Sequence, residues 1–144
     1  MTETINWQDV DYTEAVENSA VRGDLEYELI ISSTTAHEDK RFIVVLCEIA
    51  NQEFAKLVSI LVSYKPYSKD GAEPDAQSVN QMRLNQKRFF EGFGISSGED
   101  NFFSHELWKG KRATVILSKQ ANKNPDYGDE NKVKRYIKPA SEDF

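Results

Sequence analysis

Six cations and two tyrosines crowd into one stretch near the C-terminus: Lys119, Lys123, Tyr127, Lys132, Lys134, Arg135, Tyr136 and Lys138. Cations replace the counterions of phosphates, and flat aromatic faces stack bases at about 1–3 kcal/mol per base. Together they suit contact with a single strand of nucleic acid. The same mixture recurs more thinly at Arg41, Phe42, Lys56, Tyr64, Lys65, Tyr67 and Lys69, where Tyr-Lys-Pro-Tyr-Ser-Lys offers stacking and phosphate contacts at a strand end. Phe42 equally suits a core position, and Tyr64 and Tyr67 equally suit a barrel cap. A lysine-rich edge strand also has a plain structural use, because its charges block edge-to-edge aggregation. Lys109, Lys111 and Arg112 surround Gly110 and either serve a tight turn or extend the cationic path.

Residues able to catalyse do not converge. His37 and His105 are far apart and have no Cys or His neighbour at metal-ligand spacing. The glycines at 92, 94 and 98 follow a helical pattern instead of a strand and lack the Gly-Lys-Ser/Thr ending of a phosphate loop. Asp126, Asp129 and Glu130 miss the calcium-loop spacing. No Gly-x-Ser-x-Gly elbow occurs. The expectation is a non-enzymatic protein without cofactor or metal. The single cysteine, Cys47, sits in the apolar run at 42–47 and reads as a small buried hydrophobe.

The elements that must carry these residues follow from periodicity. Leu25, Tyr27, Leu29 and Ile31 alternate with their neighbours, a first strand. Residues 32–40 are rich in Ser, Thr and Asp and read as a turn before a β-branched second strand at 41–49. A short polar link leads to a third strand at 54–64, and two prolines and a glycine at 65–74 end it. Val79, Met82, Gln86, Phe89, Phe90 and Phe93 then form a helical stripe, with Asp75 or Ser78 placed to cap it. A fourth strand at 112–119 and a fifth at 131–138 follow, separated by a polar loop. By strict alternation Lys132, Lys134, Tyr136 and Lys138 share an outward face of the fifth strand, and Val133, Arg135 and Ile137 the other.

Three strands, a helix and two strands is the order of the OB-fold, a mainly β, five-stranded Greek-key barrel with its helix between strands 3 and 4. One domain accounts for 144 residues. The division is an acidic N-terminal arm at 1–22, with Trp7, Val10 and Tyr12 as anchors, a barrel at 23–139, and a short tail at 140–144. Net charge is −6, yet residues 1–28 carry −7 and residues 105–138 carry +5, and such segregation points to nucleic-acid contact. The N-terminus lacks a basic, then apolar, export signal, and no run approaches the ~20 apolar residues of a membrane span. A cytoplasmic setting is expected, with no membrane association.

Leu107-Trp108-Lys109-Gly110-Lys111, then Thr114-Val115, then Tyr127-Gly128-Asp129-Glu130-Asn131-Lys132-Val133-Lys134-Arg135-Tyr136 resembles a family of phage-encoded OB-fold single-stranded DNA-binding proteins of replication and recombination cassettes. The entry at Gly23-Asp24 and the helix ending Phe89-Phe90-x-x-Phe93 are similar too, so the resemblance covers most of residues 23–138. Family members commonly carry a glycine near the second-to-third strand turn, where this chain has Asn51-Gln52-Glu53. The resemblance implies sequence-independent binding and protection of single-stranded DNA in the host cytoplasm. It also implies that the terminal Glu142, Asp143 and Phe144 dock on replication or recombination enzymes. Two other classes stay open: a protein-interaction or virion module on the same barrel, and a metal-dependent nuclease built from scattered carboxylates. Sequence leaves oligomeric state open.

Overall fold

The computed structural model describes residues 15–65, 73–96 and 104–137. Five strands, β1 (Leu25–His37), β2 (Phe42–Ile49), β3 (Val58–Ser63), β4 (Arg112–Gln120) and β5 (Glu130–Tyr136), form one sheet in the order β3-β2-β1-β4-β5. Every pairing is antiparallel. The edge strands β3 and β5 therefore both run in the direction of β1, and they approach each other as the sheet curls. The result is the nearly closed OB-type barrel that the element order implies, with helix α1 (Ala76–Gly92) between β3 and β4.

Two strands depart from the alternation pattern. β1 runs on through Ser32–Ser33–Thr34–Thr35, expected as a turn, because β2 is apolar from Phe42 to Cys47 and needs a partner. Its register continues to His37 opposite Phe42. A bulge at Ser32 absorbs the extra residue, and the Ser32 hydroxyl donates to the Leu46 carbonyl at 3.0 Å. The β-branched threonines suit this pleated position as well as they suit a turn. β3 instead starts late, at Val58, because Asn51 and Phe54 both take positive φ (60° and 61°) and turn the chain away from β2. Asn51 thus supplies the left-handed residue for which a glycine is the usual choice.

Helix α1 starts at Asp75, whose carboxylate accepts from the Ser78 amide at 2.6 Å. That bond holds the Asp75 carboxyl below the usual range. The aromatic end of the helix plugs the barrel: Phe89 is 4.9 Å from Phe93 and 5.3 Å from Trp108, centroid to centroid. With Leu29, Ile31, Val45, Cys47, Val58, Val115 and Leu117 these rings form the core. Full burial of each such side chain contributes about 1.5–3 kcal/mol. Cys47 is fully buried as expected, and burial pushes its thiol up to about 12.

At the opposite end the described part of the N-terminal arm crosses the barrel. Ser19 forms a parallel bridge with Ala55, donating to the Phe54 carbonyl and accepting from the Lys56 amide, both at 3.0 Å. Val21 is held by the buried Asn131 side chain, which accepts from its amide (2.8 Å) and donates to its carbonyl (3.0 Å). Trp7, Val10 and Tyr12, expected as arm anchors, lie outside the described residues. Among the described residues no helix is long and apolar enough to cross a membrane.

Candidate nucleic-acid interface

The expected site residues divide into three places. The first is the β1–β2 tip with the end of β3. Arg41 has φ 64° and accepts from the Tyr64 amide at 3.1 Å, which brings Tyr64 and Lys65 beside the hairpin. Phe42 is half-buried, its ring 5.4 Å from that of His37, and Tyr64 is exposed.

The second is the far end of the barrel, beyond the start of β1, where Lys56, Lys119, Lys123 and Tyr127 gather. The register decides this separation: Leu25 opposes Leu117 near the β4–β5 connection, whereas His37 opposes Phe42 at the other tip. A 13-residue strand at about 3.3 Å per residue lies between them. The two groups do not form one compact patch. Lys56 takes a structural part, since its ammonium donates to the carbonyls of Tyr127 and, at 2.8 Å, of Asp129, pinning the β4–β5 loop. Lys119 pairs with Asp129 at 3.7 Å, and Lys123 is exposed.

The third is the seam where β3 and β5 face each other without a ladder. A cleft of about 740 Å³ opens there beneath α1. Its floor consists of core-packed side chains, Ile60, Val62, Phe89, Val133 and Tyr136, and Leu61, 58% exposed, stands on its β3 side. Arg88, Lys132, Lys134 and Arg135 rim it, with Glu91 the one acid among the lining residues. Lys134 pairs with Asp24 at 2.9 Å and Lys132 with Glu130 at 4.0 Å, both on the surface, where such pairs contribute at most about 1 kcal/mol. Arg88 and Arg135 make no ion pair with any of the described residues. An anion entering the cleft thus meets two guanidiniums that no described residue pairs and two weakly held ammoniums.

One expectation about β5 is corrected. Strict alternation put Tyr136 outward with Lys132 and Lys134, but a bulge between the pairs Ile116–Arg135 and Leu117–Val133 inserts Lys134 and reverses the faces beyond it. Val133 and Tyr136 oppose the buried Leu117 and Val115 and face inward, and Arg135 turns outward. The Tyr136 ring meets Phe93 edge-on at 6.0 Å. Burial raises its hydroxyl well above the phenol range, and the Cys47 thiol adds to the rise. Tyr136 is therefore part of the cleft floor instead of an outward stacking platform. Tyr67, Lys69, Lys138 and the tail residues Glu142, Asp143 and Phe144 lie outside the described residues.

Arg88 is the rim residue that sequence reasoning missed. The helical stripe drew attention to the apolar face of α1, whereas Asn85 and Arg88, one turn apart on its exposed flank, line the cleft. Arg83, Lys87 and Arg88 face only Glu91 in charge along this stretch, which is the signal that was available. Lys109 and Lys111 belong elsewhere: the Gly110 amide donates to the Ile31 carbonyl and the Ile31 amide to the Lys111 carbonyl, placing this turn on the middle of β1, across the barrel from the seam. Comparison with protein-family models, with curated proteins and with solved structures returns no match to this chain.

Proposed function

We propose that this protein binds single-stranded DNA without sequence preference, protecting it during phage replication or recombination in the host cytoplasm, and performs no catalysis of its own. The observation that carries the proposal is the β3–β5 cleft, with an apolar floor and a rim of four cations against one acid. That combination matches the two chemical demands of single-strand binding, apolar surface for bases and cations for phosphates. Phe42, Tyr64, Arg41 and Lys65, at the far end of β3 from its start, extend the path along the barrel. Overall charge is −6, so binding relies on this local field and not on attraction to the whole molecule.

Fluorescence anisotropy with labelled oligo-dT, duplex DNA and RNA over a salt series tests it. The expected result is preference for single strands, with affinity falling at a log–log slope of about −0.7 per phosphate contacted, and a marked loss for Arg88→Glu with Arg135→Glu. Absence of binding at low salt would transfer the barrel to the protein-interaction class.

A further inference from the structure

Phe54 combines two costs that a chain without a use for them avoids. It holds φ at 61°, a region that bulky side chains rarely occupy, and it is 50% exposed. The chain is held immediately after Phe54, since the Phe54 carbonyl and the Lys56 amide are each bonded to Ser19. Tyr127, 66% exposed, stands nearby on a turn whose carbonyl is bonded by the Lys56 ammonium. The topology gives the pair a common position. β3 and β5 run in the same direction, Phe54 precedes Ser59 by five residues, and Tyr127 precedes Lys132 by five. Ser59 and Lys132 both line the cleft, so the two aromatics stand at the same end of it.

We propose that Phe54 and Tyr127 form a second stacking site that takes the bases of a single strand as it leaves the cleft past Ser59 and Lys132. The proposal rests on the cleft being the path of the strand. Lys123, which makes no ion pair with any of the described residues, supplies a phosphate contact at this end. The Ser19 bonds hold the backbone beside Phe54 and the Lys56 bonds hold that of the Tyr127 turn, so less backbone freedom is lost when a base stacks on either ring.

The test compares labelled oligo-dT of about 4 and about 16 nucleotides, the range of site sizes for one such barrel. In the full chain, Phe54→Ala is expected to reduce the affinity gained on lengthening the oligonucleotide by about 5- to 100-fold. Phe54→Trp is expected to keep that gain and to show indole quenching on binding the longer strand. A Phe54→Ala protein that keeps the full gain, or an indole whose emission is unmoved at saturation, would overturn the second site while leaving the cleft intact. A wild-type protein that fails to bind the short strand, or an Arg135→Glu variant that binds it undiminished, would overturn the cleft and the second site together.

Discussion

Gly92, in the last turn of α1, lies so close to Tyr136 on β5 that a Cβ at this position would overlap the tyrosine ring. The contact sets how low the helix sits over the seam, and with it the depth of the cleft. Replacing Gly92 by Ala ordinarily favours a helix by about 1 kcal/mol at most. Here the overlap with a packed ring outweighs that gain, because overpacking costs about 1–3 kcal/mol. Gly92→Ala is expected to lower the urea midpoint without changing the slope of the transition.

The buried Asn131 side chain makes three bonds, to the amide and carbonyl of Val21 and, at 3.1 Å, to the Ser118 carbonyl. Asn131→Ala leaves these backbone groups without their partner, at a cost of about 2–3 kcal/mol. The local consequence is more specific than the global one. Hydrogen exchange at the Val21 amide should become fast, while exchange in β2 slows or quickens only with overall stability.

Much of the barrel was legible because its signals are local. The apolar run at 42–49, the aromatic stripe of α1 and the β-branched stretch after Gly110 each declare their element without reference to the rest of the chain. The bulges at Ser32 and Lys134 were not legible, since a bulge is decided by what two strands must bury together and leaves no mark in one of them. That one extra residue in β5 moved Tyr136 from the surface to the floor and Arg135 from the interior to the rim. Both residues were expected at the site and both line the cleft, but their roles changed, with Tyr136 in the floor and Arg135 on the rim. The structural bonds of Lys56 were not legible for a related reason: the carbonyls it holds belong to a loop about 70 residues away.

Cys47 supplies a pH dependence of known sign. Its thiol is held at about 12 in the folded chain by burial, above its ordinary value near 9. The unfolded chain releases this proton first as pH rises, so the contribution is fully present below about pH 9 and is lost progressively as pH climbs towards the folded value. The stability difference between wild type and Cys47→Ala should hold steady up to about pH 8 and shrink as pH rises through 9 and 10. Denaturant melts of both proteins at pH 7, 9 and 10 measure it. Iodoacetamide should label Cys47 at neutral pH only at the rate of unfolding.

Arg88 and Lys109 separate local contact from net charge. Each is an exposed cation on the described surface, and truncation of either changes the total charge by the same amount. Arg88 rims the cleft, whereas Lys109 belongs to the turn bonded to Ile31 in the middle of β1, across the barrel from the seam. If phosphates lie in the cleft, Arg88→Ala removes one counterion-releasing contact and reduces the single-strand salt slope by about 0.7, and Lys109→Ala leaves the slope as it was. If the long-range field alone draws the strand, the two substitutions act equally, because a distant charge contributes only through a potential screened over about 8–10 Å at ordinary ionic strength. Anisotropy titrations of oligo-dT at four salt concentrations for both variants decide between these outcomes. Equal slopes for the two variants would remove the cleft as the place where the strand is held.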